Sequence, residues 1–463
     1  MSDIEQDVDV IVVGAGVTGL SSAVRLRAGG ASVLVLEARE TVGGRLRTTT
    51  IDDVRVELGG QWVSADQDQV LGLLDELGIE TFSRYRHGSS VYVDRDGDRN
   101  TYDGVALPVS STTAIEIDRL IDVLDQLAAS IDPAAPWESP HAAALDQITF
   151  DAWIADHTTD REAHDNIAAC AGPAMLTKPA YSFSALSAVT LAASVGSFSA
   201  LADENVVLDF RVSGGLAQIP SRLAEELGDA VVCSAPVARI EWTSEGATVV
   251  AGDQTYMARR VIVATPPHVV RAMRFVPSLP PLHLQLRDHQ SIGSVIKINA
   301  VYATPFWRAA GLSGTAQSPY ELVHEAYDNT NDDIGDSHGI IVGFISDVNV
   351  DSVVDLSPAD RQAAVLASLA SYFGPQALDP VGYSESPWLG EEWTGGAYGT
   401  TFGVGSLSRF GHLVNEPVGP IRFGSSDVVG PGYLHVDGGI RVGRRMADEV
   451  LLDLRDASTG LRP

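Results

Sequence analysis

Val10-Ile11-Val12-Val13-Gly14-Ala15-Gly16-Val17-Thr18-Gly19 is the stretch on which the fold turns, and its reading extends to Glu37 through LSSAVRLRAGGASVLVLE. A continuous apolar run meets three glycines, an alanine-rich segment suited to a helix follows to about Ala28, and Gly29-Gly30 breaks it. A second apolar run, Val33 to Leu36, ends in Glu37. The order is strand, tight turn, helix, strand, acid. Gly14 permits the sharp exit from the strand, Gly16 leaves a pyrophosphate room against the backbone, and Gly19 lets the helix pack close to the sheet. The helix start, with its free N–H groups and dipole, attracts phosphate. Glu37 stands where a carboxylate would accept hydrogen bonds from a ribose diol. Glycine-rich turns alone are weak signals, but here both strands, the helix and the acid are present. An acid at that point favours an unphosphorylated ribose, as in FAD or NAD, over NADP.

The next residues separate those two. Glu37-Ala38-Arg39 leads to Gly43-Gly44-Arg45, and Glu57-Leu58-Gly59-Gly60-Gln61-Trp62-Val63 follows. A nicotinamide site has no use for a second glycine pair with an arginine here. These segments resemble those of the flavin-containing amine oxidase family. The resemblance implies an α/β fold: a Rossmann-like FAD-binding domain of the two-dinucleotide-binding-domain type, with an interleaved α+β substrate domain. It places Arg39 and Arg45 near the FAD phosphates, Ala38 and Gly44 against the cofactor, and Gly59, Gly60, Gln61 and Trp62 near the flavin.

With 463 residues, 45% of them hydrophobic, the chain can bury a large core in two domains. No apolar run is long enough to span a membrane. MSDIEQDVD is acidic and leads directly into a strand, so it reads as no signal peptide. Cys170 and Cys233 sit among alanines and valines and read as buried free thiols, consistent with a cytoplasmic location. The formal charge of −30 disfavours nucleic acid and anionic lipid, and would attract cationic amines. A homodimer is compatible with all of this.

Along the chain, residues 1–90, 205–290 and 385–463 read as the FAD-binding domain, and residues 91–204 and 291–384 as the substrate domain. Asp94 to Asn100 has the acids of a calcium loop, but its glycine comes too early and no glutamate closes it, so a hairpin at Asp96-Gly97 is expected. Ile115, Ile117, Leu120, Ile121, Leu124 and Leu127 recur at helical spacing, opening a helical block to about Ala200. His141, His157 and His164 within it have no metal-site spacing, and no metal is expected. Val261-Ile262-Val263-Ala264-Thr265-Pro266-Pro267 is a buried strand leaving the sheet. Strands are expected at Ser294–Tyr302, Glu321–Tyr327 and Gly339–Ile345, helices at Pro358–Tyr372 and from about Gly438.

Four residues carry the expected chemistry. Lys297, in Gly293-Ser294-Val295-Ile296-Lys297-Ile298-Asn299, lies in a strand whose two faces are both apolar. A buried ammonium needs a partner or a lowered pKa. GSVIK followed by TPFW resembles the family segment in which lysine holds a water against the flavin and assists its reaction with oxygen. Tyr398, in EEWTGGAYG, matches a wall of the family's aromatic cage, which orients the amine. Ala397 occupies the place where some members carry a flavin-linked cysteine, implying non-covalent FAD. His435, in GYLHVDGG, replaces a second cage tyrosine; an imidazole there could flank the amine. Glu325, in LVHEAYDNTN, is a carboxylate alternating with Val323 and Tyr327, and a diamine's distal ammonium would satisfy it. The resemblance also sets Val237, Trp388, Asp427 and Val436 against the cofactor. Two segments depart from the family pattern, Arg45-Leu46-Arg47-Thr48 and Phe423-Gly424-Ser425-Ser426-Asp427.

The expected activity is oxidative deamination of a primary amine, preferably a short aliphatic diamine such as putrescine, to aminoaldehyde, ammonia and hydrogen peroxide. A monoamine or cyclic-amine oxidase, or a flavin dehydrogenase that does not use oxygen, is the alternative.

Overall fold

The computed structural model describes residues 4–459. Strand Ile4–Val13 lies at the heart of a mixed eight-stranded sheet, between Val33–Leu36 and Gln254–Val263 and parallel to both. Both of its faces are covered, which is why Val10 to Val13 are apolar without alternation. Val10 and Val12 pack with Leu20, Ala23 and Leu26 of helix Val17–Ala28 and with Met446 and Val450 of the last helix, Val436–Thr459. Ile11 and Val13 face Ile240, Val249 and Tyr256, which belong to the three-stranded meander Val237–Trp242, Ala247–Ala251 and Gln254–Val263. The strand Ile421–Phe423 joins beside Val261–Val263.

The glycine turn takes the shape expected of it. Gly14 has φ +100°, and a Cβ on Gly19 would stand 2.0 Å from the Gly14 carbonyl oxygen. The helix therefore rests directly on the turn. The last helix crosses the first just as closely, with Ser22 Oγ donating to the Gly443 carbonyl at 3.0 Å.

A second, seven-stranded sheet has the order Gly382–Glu385, Val295–Tyr302, Gly339–Ser346, Glu325–Asp328, Leu312–Gln317, Ser89–Val93 and Arg99–Tyr102. Helix Pro358–Phe373 packs Val365, Leu369 and Tyr372 on one face, against Ile296, Ile298, Ala300 and Ile341. The other face carries Val295, Tyr327, Val342 and Phe344 with Trp388 and Ala397. The third layer is helical, with Ser111–Ala129, Phe150–His157, Arg161–Ala169 and Ala185–Ser194 around Phe150, Phe183 and Leu186. Side chains of Ser110, Thr149, Asp160 and Ser184 accept the backbone N–H three residues on, satisfying the helix starts.

We propose the two-domain division given above on these separate cores. Phe402, Leu407 and Phe410 nevertheless pack into the helical layer rather than beneath the first sheet.

Some expectations need correction. The strand expected from Glu321 begins at Glu325, because Ser318 N–H bonds the His324 carbonyl and Val323 N–H bonds Ser368 Oγ; a turn satisfies this backbone before any ladder can. Strand Leu312–Gln317, small and polar, was not expected at all. Ile115 points to solvent at 67% exposure while Leu120 and Leu124 face the core. Both cysteines are free thiols but only half-buried. The Asp96-Gly97 hairpin forms as expected, with Asp94 carboxylate accepting the N–H groups of Asp96 and Asp98.

Candidate active site

A single continuous cavity of about 1170 Å³ runs between the two sheets and the helical layer. An ordinary small-molecule site occupies ~300–1000 Å³, so this one has room for a dinucleotide and a small substrate together. Gly14, Gly16, Glu37, Ala38, Arg39, Gly44, Arg45 and Val237 line one part of it. Gly59, Gly60, Gln61, Trp62, Lys297, Trp388, Tyr398, His435 and Val436 line another, and Glu325 a third.

The first part fits a dinucleotide. Helix Val17–Ala28 starts at Gly16 with no side chain capping it and no acid in its first turn, so its dipole is free for an anion. Gly16 and Gly44 are set face to face, a Cβ on Gly44 standing 3.2 Å from the Gly16 Cα. Glu37 accepts from the Ala15 N–H (2.7 Å) and the Arg39 N–H (3.0 Å), which fixes the turn. Each of its oxygens keeps a second lone pair for a ribose hydroxyl.

The two arginines are already paired. Arg39 binds the Glu391 carboxylate and the Thr394 hydroxyl, and reaches the Gly44 carbonyl at 3.3 Å. Arg45 binds Asp427 at 2.6 Å, Ser426 Oγ at 2.9 Å and the Tyr398 carbonyl at 2.6 Å. Asp427 lies behind the cavity wall, not on it. Burial alone would raise its pKa, but the Arg45 guanidinium and its hydrogen bonds hold it below the ordinary value. Its place is to hold Arg45 and the Thr400 N–H (2.6 Å), and through Arg45 the Tyr398 segment. Arg45→Met strands that carboxylate without its counter-charge. Denaturant unfolding should then show a loss of about 3–5 kcal/mol.

Lys297 is 3% exposed, and its ammonium donates to the Gly59 carbonyl at 2.8 Å and to Gln61 Oε1. It lies 5.7 Å from the Trp62 ring centre and 5.9 Å from that of Phe344. Burial pushes its pKa down to about 7, while the Glu57 carboxylate pulls it upward and Arg211 pushes it further down. Glu57 and Arg211 are themselves buried, 3.6 Å apart. Gln61 completes the link by donating to Asn329 Oδ1 at 2.8 Å, while Arg211 donates to the Asn329 carbonyl at 2.7 Å.

Register brings the ammonium and the acid together. Lys297 and Glu325 both pair with Phe344, from strands on its two sides. The three residues form one row across the sheet. Strands are about 4.8 Å apart, so the backbones of Lys297 and Glu325 stand roughly 10 Å apart with Phe344 between. Tyr398 meets the Phe344 ring edge-on at 5.8 Å, and Trp62 packs on both Phe344 and Tyr327.

Glu325 accepts from the Tyr327 hydroxyl at 2.9 Å and has His324 Nε2 at 3.6 Å. No lysine or arginine among the described residues forms an ion pair with it. Burial, with the Glu325 charge adding to it, raises the Tyr398 phenol well above its ordinary pKa and the Cys170 thiol up to about 12, so both stay protonated. His435 Nδ1–H donates to the Tyr433 carbonyl at 2.9 Å, and burial lowers its pKa, favouring the neutral ring.

The cavity thus gathers every residue expected from the sequence except Asp427 and Gly19, the latter packed beneath the turn against the Gly14 carbonyl. It adds Phe344, His324, Cys170 and, behind Lys297, the Glu57–Arg211 pair. Of these, only Glu57 left a trace in the sequence: an acid closing the alternating strand Val54–Glu57, two residues before Gly59.

The sequence profile described as flavin containing amine oxidoreductase matches residues 17–451. The putrescine oxidase of Kocuria rosea is 47% identical over 455 residues, covering 96% of this chain and 95% of that one. A solved structure of a wild-type putrescine oxidase bound to putrescine superposes with a TM-score of 0.94 at 50% identity, covering 96% of this chain and 99% of that chain. An L-amino acid dehydrogenase of Synechocystis sp. (strain ATCC 27184 / PCC 6803 / Kazusa) is 32% identical, covering 96% of this chain and 94% of that one.

Proposed function

This chain belongs to the flavin-containing amine oxidoreductases and is an FAD-dependent amine oxidase, and from that premise we propose that its substrate is a short aliphatic diamine of the putrescine kind. The observation that carries this reading is Glu325: a carboxylate on the cavity wall, in one row with Phe344 and Lys297, with no lysine or arginine among the described residues paired to it. A distal ammonium supplies that cation and forms a charge-assisted hydrogen bond. A bacterial putrescine oxidase at 47% identity supports the same choice.

Gly14–Gly19, Glu37, the Gly44 loop and Val237 would hold FAD non-covalently, and when bound it would supply an acceptor for the two electrons of the amine's α-carbon–hydrogen bond, with oxygen as the final acceptor and hydrogen peroxide as product. Everything else falls to this chain. Glu325 anchors the far end of the diamine. Tyr398 and His435 flank the near amine, and the neutral imidazole accepts a hydrogen bond from it, keeping the nitrogen oriented. Lys297 holds a proton on Nζ between Gly59 and Gln61, a positive charge in a dry wall where negative charge develops. Helix Val436–Thr459 presents its N-terminus to the same wall. Water then hydrolyses the substrate imine to aminoaldehyde and ammonia.

Ala397 offers no thiol for a link to the flavin, so the yellow colour should leave the polypeptide on denaturation and appear entirely in the protein-free filtrate. An amine panel with coupled peroxide detection tests the substrate. Putrescine should exceed butylamine by a large factor in kcat/KM. The dehydrogenase alternative, suggested by the Synechocystis relative, would show amine-driven bleaching without peroxide release under air.

A further inference from the structure

The residue that positions Tyr398 comes from the helical layer. The π-helical turn Cys170–Leu176 ends in Thr177, which has φ 52°, and both Thr177 and Lys178 are buried. Thr177 Oγ1 lies 2.6 Å from the Ala397 carbonyl and 2.7 Å from the Leu176 carbonyl, which share its proton, and it accepts the Tyr398 N–H at 3.2 Å. One hydroxyl thus engages both polar groups of the peptide that carries Tyr398. Its carbonyl accepts the Ser294 N–H at 3.0 Å, at the start of the strand bearing Lys297. Gly293 fits only because it is glycine: a Cβ there would stand 1.7 Å from Thr177 Oγ1. Lys178 reaches the other way, with Nζ 2.7 Å from both Ser291 Oγ and Thr401 Oγ1, across the paired strands Gln290–Ile292 and Thr400–Phe402. Those strands lead directly into the Lys297 strand and out of the Tyr398 segment.

We propose that Thr177, backed by Lys178, is the positioning residue of the amine site, setting Tyr398 and the Lys297 strand in one frame from the turn that also lines the substrate cavity. This rests on the reading of Tyr398 as a wall of that site. Thr177 does not line the cavity, and its hydroxyl acts through the Tyr398 peptide, while its carbonyl, unchanged by side-chain substitution, holds the start of the Lys297 strand. Arg45 holds the opposite side of this segment through the Tyr398 carbonyl. Loss of the hydroxyl therefore leaves Tyr398 attached but free to shift, and misplacement of a reacting group by about 1 Å costs on the order of 100-fold.

The test compares Thr177→Val, which keeps the volume and loses the hydroxyl, with Thr177→Ser, which keeps it, both as FAD-loaded protein. We expect Thr177→Val to slow anaerobic bleaching at saturating putrescine by about 10- to 100-fold, with FAD affinity measured by fluorescence within about threefold of the parent. Thr177→Ser should restore the rate to within about threefold. In a Tyr398→Ala background the Thr177→Val effect should disappear, as it must if one residue acts through the other. The proposal is overturned if Thr177→Val bleaches at the parent rate, if it loses FAD in proportion to rate, or if its effect persists without Tyr398. Thr177→Ala takes its place, under the same criteria, if the valine protein does not fold. Parent protein that fails to bleach with any amine would instead refute the reading of function on which this rests.

Discussion

Lys297→Met will leave amine-driven bleaching within about threefold of the parent rate while slowing the return of colour in air by about 100-fold or more, the range seen when one preorganised charge is removed from a dry site. Methionine fills nearly the same volume and removes only the cation. What remains is the buried Glu57–Arg211 pair, which balances itself, and the Gly59 and Gln61 oxygens, which lose their donor. The two half-reactions separate because, in the proposed site, the amine is held elsewhere, by Glu325 and beside Tyr398 and His435. Stopped-flow mixing with amine under nitrogen, then with oxygenated buffer, measures each alone. The pH dependence follows from the ammonium's lowered pKa of about 7. Below that value Nζ is charged; above it, it is neutral. Colour return in the parent should be fastest on the acid side and fall as pH rises through 7, and Lys297→Met should lose that step. Equal slowing of both half-reactions would make Lys297 a structural residue.

Glu325→Gln should lower kcat/KM for putrescine by about 30- to 300-fold, and for butylamine by less than about threefold, in keeping with the 2–5 kcal/mol lost when one partner of a buried charge pair is neutralised. Glutamine preserves the shape and the Tyr327 hydrogen bond, so the change isolates the charge. The loss should fall mainly on KM, because the distal ammonium is remote from the reacting carbon and its anchor holds ground state and transition state alike. Steady-state kinetics on the two amines, four carbons each and differing in one terminal amine, reads the difference directly. Equal losses on both would remove the remote anchor from the account.

Much of this could be read from residues close together in the chain. The turn at Gly14 to Gly19 is largely local chemistry: Gly14 supplies the positive φ and its carbonyl oxygen leaves no room for a side chain at Gly19, although Gly16 faces Gly44 from further along the chain. Lys297 was legible because a charged residue between Val295, Ile296 and Ile298 contradicts its own strand. Glu325 was legible as an acid, but not as a strand start, since the turn at Ser318–His324 depends on Ser368 in a distant helix. Phe344 was invisible for a related reason. In Ile340-Ile341-Val342-Gly343-Phe344-Ile345 it looks like any core aromatic, and only register across three strands places it between the cation and the acid. Thr177 left no signal either, since its hydroxyl finds its partners 220 residues away at Ala397 and 221 away at Tyr398. The arginines were half-legible: Arg39 and Arg45 do line the cavity, but the acids that occupy them, Glu391 and Asp427, come from the far end of the chain.

The most direct test of the central claim is an anaerobic titration of the yellow protein with putrescine, followed by admission of air and assay of peroxide. The account predicts complete bleaching at one equivalent of diamine per bound FAD, full recovery of colour in air, and one hydrogen peroxide formed per aminoaldehyde. Protein that keeps its colour with putrescine, or that bleaches and regains colour without releasing peroxide, would contradict it.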